Sequence, residues 1–536
     1  MLRADAAARA IRDFWTSSAR SGERLSAVWS FPRLVSSRTP FERLRQALAK
    51  PVDALPLDAF RIAIGCLSLA YFARTLREAP LYSNPDGLID HGLSRLIFPY
   101  TWMGMFHPGM PLILFQAAFV VACIASLGVI AGYRVRVCAA VLYAVAVSTY
   151  RWNFLVMYVD DVVMHLMFFW LLLLPLGRTL VLREWLSHRQ QAWRRWKTMT
   201  VPGTVVRCFL WNVGLIYVVA GLWKWTSPMW RNGTALYAVL KLPIARTPDF
   251  WSPRHLPLLM TLNYTALLLE TIFPIAFFLP RGHRLKYALL VALLGFHLGM
   301  IATLQIPFAN VACIAATVVV FGPELMSLLR RRPRVLEARI SPVRIGLPGT
   351  IAIMMVITLT LAMVTSVVVP EWRAPVREKS SAASDNAAQE GLKPMQMAFF
   401  APLWIAGLAQ QYQLFNWIDD RNYAVRYEVS SSARAVDPAT IFLPTTRGTL
   451  LQAYVFGVSW MQIPARQRQQ LRTSIYTRAA RRYCRGVTGP DEVTVHSTLR
   501  RIDAAHLHGG AQRRALLMQF QCRNGEPLMQ TMNLDP

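Results

Sequence analysis

Long apolar segments alternate with short arginine-rich segments between residues 57 and 369 of the chain. A helix needs about 20 predominantly apolar residues to cross the hydrocarbon core of a bilayer. The pattern therefore predicts nine transmembrane helices, at 57–77, 109–131, 137–150, 161–177, 204–226, 257–279, 286–304, 307–328 and 347–369. The third and fourth segments are short for a span, so they fit either tilted helices or a broken helical pair around 150–161.

The basic residues between the apolar segments predict the orientation of the chain. Arg and Lys are concentrated in the N-terminal tail and in the segments 133–136, 178–203, 280–286 and 329–345. Loops rich in Arg and Lys stay in the cytoplasm. With nine spans, all of these segments share one face, which predicts an inner-membrane protein with a cytoplasmic N-terminus and a periplasmic C-terminal domain. An even number of spans would return that domain to the cytoplasm.

The C-terminal part of the chain has the patterns of a water-exposed domain. Apolar residues alternate along 423–429 and 516–522, as in half-buried strands, and recur every fourth residue along 471–483, as in a helix. The predicted fold class is an α-helical polytopic membrane bundle with a small C-terminal α+β domain outside the membrane. The predicted divisions are a basic N-terminal segment, a transmembrane domain, a loop with the last helix, a linker and the periplasmic domain, at 1–54, 55–328, 329–370, 371–392 and 393–536.

Composition supports the membrane interpretation. Charged residues make up 16% of the chain, against about 25% in ordinary soluble domains. The net charge of +29 would suggest nucleic acid in a soluble protein, but much of it lies between apolar segments, so we expect no nucleic-acid partner. The seven cysteines have no metal-binding spacing. Cys484 and Cys522 would lie in an oxidising compartment, which favours a disulfide over two free thiols.

Ionisable residues inside apolar segments are the first candidates for chemistry, because each costs roughly 2.5–3.5 kcal/mol at the centre of a membrane helix. Lys224 ends a long apolar run. Either it extends to the lipid headgroups with its stem buried, or it sits in an apolar pocket that favours the neutral amine and acts as a base. Glu270 lies in the middle of its segment, so it is either protonated or paired with a cation such as Arg61.

Two further groups have both a structural and a functional interpretation. His297 lies in an apolar helix between Gly295 and Gly299; it is either an interhelical hydrogen-bonding residue at a close helix contact or a catalytic residue. Asp160 and Asp161 open a helix, where carboxylates complement the helix dipole. They also form, with further polar residues, a predicted cluster at the outer membrane surface. Those further residues are Arg151, Asn153 and His165.

Four stretches of the chain form a set of motifs. They are FRIAIG at 60–65, LYSNPDGL at 81–88, YRWN at 150–153 through Asp160-Asp161 to LPLGR at 174–178, and YVVAGLWK at 217–224 with WRNGTALY at 230–237. Together these motifs resemble the HTTM family, which is related to the membrane part of vitamin K-dependent gamma-carboxylase. The resemblance covers roughly residues 55–325, and Glu270 and the Phe296-His297 pair also fit it.

The resemblance implies a catalytic site. Lys224 matches the position of the lysine that deprotonates reduced vitamin K in the carboxylase, and His297 resembles a histidine of its later membrane region. The implied cofactor is a reduced quinone, and the implied reaction modifies an exported peptide or protein. The C-terminal domain is much smaller than the luminal part of the carboxylase and does not resemble its peptide-binding region.

Three functions fit the sequence. The first is a quinone-linked, carboxylase-like activity with Lys224 as base and His297 as a second catalytic residue. The second is a non-enzymatic maturation or assembly factor whose C-terminal domain binds an exported client. The third is a transporter, which we rank last because the chain has no clear internal repeat. In each case the lipid bilayer is an expected partner.

Overall fold

The structure is a computed structural model in which a predominantly helical chain ends in a small β-sheet. It describes residues 39–83, 87, 91–92, 104–107, 109–152, 159–242, 244–280, 282–329, 345–368, 403, 406, 408, 423–441, 465–502 and 512–533. Residues 1–50 and 51–536 form two compact units. In the first unit, the helix α1 (Pro40–Ala49) begins with a capping box between Thr39 and Glu42. The predicted linker at 371–392 and most of the N-terminal segment lie outside the described residues.

The second unit contains the helical bundle. A two-stranded ribbon pairs β1 (Val52–Asp53) with β2 (Thr200–Val201) in antiparallel register. The helices are α2 (Ala54–Ser83), α3 (Leu112–Ala131), α4 (Val135–Trp152), α5 (Val159–Leu173), α6 (Leu182–Trp196), α7 (Thr204–Thr226), α8 (Pro228–Arg231), α9 (Ala235–Val239), α10 (Leu256–Ile272), α11 (Arg284–Thr303), α12 (Pro307–Val320), α13 (Gly322–Leu329) and α14 (Leu347–Val368). Short 3₁₀ helices precede and follow α10, at Pro253–His255 and Phe273–Phe277.

Each of the nine apolar segments predicted to span a membrane contains a helix, but not all of these helices have the length of a span. Within the described residues, six helices are long and apolar enough to cross a bilayer. A seventh span results if α12 and α13 are taken together, although they are bent by 61° relative to each other. The third and fourth apolar segments coincide with shorter helices, α4 and the 15-residue α5, so length and composition give six or seven candidate spans instead of nine.

The packed ends of these helices define one end of the bundle, which we call the basal end. Gly322 in α13 lies against Pro56 at the start of α2, and Gly349 in α14 lies against Thr204 at the start of α7. At the same end, the ribbon between β1 and β2 joins the starts of α2 and α7. Consecutive long helices therefore run in alternating directions away from and towards the basal end.

The C-terminal sheet has four antiparallel strands. They are β3 (Tyr423–Ser431), β4 (Asp491–Arg501), β5 (Gln512–Arg523) and β6 (Glu526–Met532), in the order β3-β4-β5-β6. Asn524 and Gly525 link β5 to β6 with φ values of 51° and 78°. Positive φ at both central residues is the requirement of a type I′ hairpin, which Asn-Gly satisfies best.

One face of the sheet packs on a long helix. The helices of this region are α15 (Pro438–Ile441) and α16 (Ala465–Cys484). Leu471, Ile475 and Ala479 of α16 are buried in the same core as Val493 and Phe520 of the sheet. A disulfide between Cys484 and Cys522 joins the end of α16 to β5, with 5.2 Å between the two Cα atoms. The strands and the helix thus lie where the apolar periodicity predicted them.

The sheet also contacts the bundle at the end opposite the basal end. Ile502, directly after β4, is buried in one cluster with Met229 and Tyr237 of the segment that follows α7. Arg426 of β3 is 2.5 Å from a carboxylate oxygen of Asp249. The sheet and the 229–249 segment therefore lie side by side.

Candidate functional site

Polar side chains from several helices lie between about 20 and about 30 Å from the basal end. Tyr217 of α7 and His297 of α11 lie about 20 Å along helices that both begin at that end, at a rise of ~1.5 Å per residue. Lys224 of α7 lies about 30 Å along by the same measure. We call this level the polar layer. Its other members are Tyr71 (α2), Asp160 and Asp161 (α5), Glu270 (α10) and Asn310 and Cys313 (α12).

The central contact of the polar layer is an ion pair between Lys224 and Glu270. Nζ of Lys224 is 2.5 Å from Oε2 of Glu270, and the two side chains are 2% and 3% exposed. Nζ of Lys224 also lies 5.2 Å from the ring centroid of Trp230, a distance at which a cation is attracted to the aromatic face. Lys224 is therefore buried, whereas a lysine that reaches the lipid headgroups would have an exposed amine.

A glycine allows this close approach of α7 and α10. A Cβ at Gly221 would lie 2.7 Å from Oγ1 of Thr271 and 3.0 Å from its backbone nitrogen. Real Cβ contacts are not that short, so any larger residue would push the two helices apart. Gly221, three residues before Lys224, thus lets α7 approach α10 closely enough for the lysine to reach Glu270.

The pair has two chemically distinct states. A lysine and a glutamate that share one proton can exist as ammonium and carboxylate or as amine and carboxylic acid. Low dielectric penalises the charged state, whereas the short contact favours it. The arrangement can therefore accept one proton from a neighbouring molecule and keep it buried.

His297 lies in a hydrogen-bonded chain in which both ring nitrogens have partners. Asn310 donates from Nδ2 to the carbonyl of Ile306 (2.7 Å), so its Oδ1 accepts from Nδ1–H of His297 (2.8 Å). Nε2 of His297 then carries the lone pair and accepts from the Tyr217 hydroxyl at 2.7 Å. This assignment gives a neutral imidazole that connects three helices, which is the hydrogen-bonding interpretation of His297.

Gly295 and Gly299 do not form the close helix contact that the sequence suggested. A Cβ at either position would meet no atom within 4 Å among the described residues. The contact around His297 is made by its own side chain and by Asn310, and not by small residues.

The two aspartates that open α5 are buried and bonded to other helices. Oδ1 of Asp160 accepts from the backbone N–H of Ala309, in the first turn of α12, at 2.7 Å. The N-termini of α5 and α12 thus both lie next to this carboxylate, and both helix dipoles favour its negative charge. Oδ1 of Asp161 accepts from the Tyr71 hydroxyl at 2.6 Å. Both aspartates lie in the first turn of α5, where they complement its dipole. Their hydrogen bonds also join α5 to α2 and α12.

The remaining members of the predicted polar cluster have different positions. His165 is fully buried in α5, and Arg151 is buried in the last turn of α4. Asn153 lies outside the described residues. Cys313, which its apolar segment predicts to be a small core residue, lies in α12 one turn after Asn310.

Arg61 belongs to a separate structure at the basal end. Its Nε is 2.8 Å from Oδ1 of Asp58, and its terminal nitrogens donate to carbonyls of α3 and of the segment after α5. The acceptors are the carbonyls of Val129, Ile130, Thr179 and Leu180. All five N–H donors of Arg61 are thus engaged. Glu270 pairs with Lys224 instead of with Arg61, which corrects the pairing suggested by the sequence.

Asp58 and Arg61 together form a structure that we call the clasp, in which both side chains bind the loop after α5. The sequence did not mark Asp58 as a candidate. Its carboxylate accepts from the backbone N–H groups of Gly177, Arg178 and Thr179, at 2.7, 2.9 and 2.6 Å. The spacing of Asp58 and Arg61 is i, i+3, at which helical side chains are neighbours. That spacing was a signal in the sequence, but the partners in the later loop gave none.

A second buried Lys–Glu pair lies at the basal end. Nζ of Lys286 is 2.6 Å from Oε1 of Glu324, and it lies 5.4 Å from the ring centroid of Phe321. In the sequence, Lys286 counted only as one of the positive charges that orient the chain. Its geometry resembles that of Lys224 and Glu270 so closely that it offers a matched control.

No protein-family model, curated protein or solved structure matches the chain. Among the residues that the structure describes, no group of three or more His, Cys, Asp or Glu side chains could hold a metal ion.

Proposed function

We propose that the chain is an integral inner-membrane enzyme that uses the Lys224–Glu270 pair to remove a proton from an amphiphilic substrate. The observation that carries the proposal is the buried contact of 2.5 Å between the two side chains. Ionisable groups that are buried inside a membrane at such a cost usually have a function there. The substrate class that fits is a lipid-soluble molecule with an acidic hydroxyl, such as a reduced quinone.

The surface of the helices supports a membrane location. Large apolar side chains are exposed on most of the candidate spans. Examples are Ile113, Ile124, Val291, Leu298 and Met354. Exposed apolar surface of this extent is unfavourable in water, and the helices satisfy their own backbone hydrogen bonds, as hydrocarbon requires.

The two ends of the bundle support the proposed orientation. The basic turn with Arg134 and Arg136 connects α3 to α4 at the basal end. The arginine-rich helix α6 connects the end of α5 to the start of α7 at the same end. The sheet contacts the opposite end through Ile502 and Arg426. Arg-rich connections favour the cytoplasm, so we assign the basal end to the cytoplasm and the sheet to the periplasm.

The proton-transfer step balances within the pair. The pair starts with one shared proton, as ammonium and carboxylate or as amine and acid. Transfer from the substrate O–H adds a second proton and leaves an ammonium on Lys224, a carboxylic acid on Glu270 and an oxyanion on the substrate. The oxyanion lies next to the ammonium, so no isolated charge is left in the low-dielectric interior.

The resemblance to the HTTM family extends the proposal. In the carboxylase, deprotonation of a reduced quinone leads to a strong base that removes a proton from a glutamate side chain before CO2 adds. The corresponding role here is the modification of an exported peptide or protein, presented from the side on which the C-terminal sheet lies.

The replacement Lys224→Arg tests the proposal. Arginine keeps the positive charge but does not lose its proton in proteins. We expect this variant to reach the membrane in normal amounts and to lose the phenotype that depends on the gene. Lys286→Arg is the matched control, because Lys286 has the same kind of partner and burial, and it should retain that phenotype. Full function of Lys224→Arg would disprove the role of Lys224 as a base.

The Lys286–Glu324 pair also favours a second candidate function, a non-enzymatic maturation or assembly factor. A pair of nearly the same geometry stands there without a proposed reaction, so a buried Lys–Glu pair alone is compatible with a structural role. In that case Lys224→Arg and Lys286→Arg would behave alike, and the C-terminal domain would cross-link to an exported client.

A further inference from the structure

The helix α6 combines exposed leucines with exposed arginines. Leu186 is 76% exposed and Leu182 is 50% exposed, although both are large apolar side chains. Arg183, Arg189 and Arg194 are exposed on the same helix. A helix with apolar and basic residues on its free surface is typical of the boundary between lipid headgroups and acyl chains.

Both ends of α6 are fixed at the basal end. At its C-terminal end, Trp196 is buried in one cluster with Leu55 of α2 and Met326 of α13, and Nε1 of Trp196 donates to Glu184 at 2.9 Å. Just before its N-terminal end, the carbonyl of Leu180 accepts from Arg61 at 2.8 Å. The helix is therefore held where candidate membrane helices begin and end.

A kink separates the two surfaces of α6. His188 has φ and ψ values of −147° and 61°, outside the helical region. The turn that carries Leu182 and Leu186 is therefore free to face away from the turn that carries Ala192 and Trp196, which packs on the bundle. Leu182 and Leu186 thus remain exposed and do not pack on the bundle.

The excess of positive charge on α6 indicates that an anionic partner lies against it. Four arginines of α6 face a single acid, Glu184, which is already paired with Arg195 at 3.3 Å. Arg189 also lies 4.5 Å from the ring centroid of Trp185, so its guanidinium is held near the apolar part of the helix. Anionic headgroups attract such residues by about 1 kcal/mol for each Lys or Arg near the surface.

We propose that α6 is a binding site for anionic phospholipid, with Arg183, Arg189 and Arg194 on the headgroup phosphates and Leu182 and Leu186 among the upper acyl carbons. The proposal rests on the membrane location in the proposed function and not on the chemistry at Lys224.

Hydrogen exchange of the full-length protein tests this site. The protein is placed in nanodiscs of phosphatidylcholine alone or with phosphatidylglycerol added, and exchange is followed in peptides that cover 182–197. We expect phosphatidylglycerol to slow exchange of α6 in the wild type. The triple variant Arg183→Gln, Arg189→Gln, Arg194→Gln should lose this slowing and should bind phosphatidylglycerol on the order of a hundredfold more weakly in native mass spectrometry.

A charge-matched variant controls for the general attraction of a basic protein to anionic lipid. The triple variant Arg485→Gln, Arg513→Gln, Arg523→Gln removes three exposed arginines of the C-terminal region and should behave like the wild type. Equal losses in both triple variants, or unchanged exchange of α6 in the two lipid mixtures, would overturn the proposal.

Two further outcomes distinguish a lipid ligand from a free phosphate and from a protein that lies outside the membrane. If soluble glycerol phosphate slows the exchange of α6 as much as phosphatidylglycerol does, the ligand is a free phosphate and the lipid proposal is wrong. Failure of the wild-type protein to enter nanodiscs would instead contradict the membrane location, and with it the proposed function.

Discussion

At the scale of single residues, each buried group of the polar layer fixes the donor or acceptor role of its neighbour. Tyr217 donates to His297, and His297 donates to Asn310. Asn310 donates from Nδ2 to a backbone carbonyl, so its Oδ1 is the acceptor from His297, and the direction of the Tyr217–His297 bond follows from that. A change at one residue therefore leaves a neighbour without a partner.

The Tyr217–His297 bond predicts a strong energetic coupling. We expect Tyr217→Phe to lower the free energy of unfolding by about 1–3 kcal/mol, because it leaves Nε2 of His297 unsatisfied. His297→Leu should cost more, because it removes both the acceptor of the Tyr217 hydroxyl and the donor to Oδ1 of Asn310. The double variant should cost less than the sum, with a coupling of about 0.5–3 kcal/mol.

Denaturation in detergent measures this coupling. Tyr264→Phe is the control, since the Tyr264 hydroxyl donates to a backbone carbonyl and the residue is exposed, and its effect should be within about 0.5 kcal/mol. Strict additivity of Tyr217→Phe and His297→Leu would contradict the assigned hydrogen bond.

Asp491 predicts an acid-dependent loss of stability in the C-terminal sheet. Burial raises the pKa of this carboxyl, but hydrogen bonds from Ser431, Tyr483, the amide of Ala433 and Ser432 outweigh burial and leave the pKa below its ordinary value. The contribution to stability is complete above the unfolded-state pKa of about 3.9 and is lost as the pH falls through the lower folded-state pKa.

Hydrogen exchange of β3 and β4 in the full-length protein, between about pH 6 and about pH 3, follows this loss. Asp491→Asn should be less stable at the upper pH and should lose less stability on acidification. Glu428→Gln changes an exposed acid of the same sheet that pairs with Arg514, and it should have the wild-type profile. An unchanged acid profile in Asp491→Asn would refute the prediction.

The sequence predicted which residues of the site are unusual but not which residues they contact. The cost of burying Lys224, Glu270, Asp160 and His297 was visible in their apolar surroundings. Their partners come from other helices, and nothing in a single sequence gives the rotation of one helix against another. The pairing of Glu270 with Lys224 could therefore not be predicted, and Arg61 was a reasonable but incorrect choice.

At the scale of elements, helix boundaries were predictable where the sequence interrupts the apolar pattern. The predicted segment 204–226 coincides with α7, because Pro202-Gly203 precedes it and Ser227-Pro228 follows it. The bend between α12 and α13 was not predicted, since the apolar pattern continues through Phe321 and Gly322. The helix α6 was also not predicted, because its arginines were interpreted only as a topology signal.

Glycines on different helix faces predict opposite effects of the same substitution. Gly221→Ala should destabilise the protein by about 1–3 kcal/mol, because the added Cβ would meet the backbone of α10 next to Glu270. Gly295→Ala should stabilise it by up to about 1 kcal/mol, because alanine is the better helix former and the site has open space.

Melting temperatures of the two variants in the same detergent distinguish these effects. Gly299→Ala repeats the control on the same open side of α11. If Gly221→Ala melts at or above the temperature of the wild type, the close approach of α7 and α10 is not as described.

At the scale of the whole molecule, the membrane location that we propose makes the side of the sheet depend on the number of spans. The described helices give six candidate spans, or seven with the bent pair, and α4 and α5 decide whether the total is odd. The contacts of Ile502 and Arg426 with the 229–249 segment favour the end opposite the basal end.

Paired reporters at the C-terminus test this orientation. An alkaline phosphatase fused after Pro536 should be active, because it folds only outside the cytoplasm, and a fluorescent protein that folds only inside should stay dark at that position. Fusions after Arg339, in the predicted cytoplasmic loop, should give the reverse result. A bright cytoplasmic reporter after Pro536 would contradict the exported sheet.

The clasp between Asp58 and Arg61 has a consequence for biosynthesis. Both residues lie in α2 and are translated before their acceptors and donors, which lie at Val129, Ile130 and 177–180. Until translation passes residue 180, a carboxylate and a guanidinium at the start of α2 have no protein partners from these segments and need water or headgroups instead. For the membrane location that we propose, we therefore expect the start of α2 to stay near the aqueous boundary until the loop after α5 is made and packs around Asp58 and Arg61.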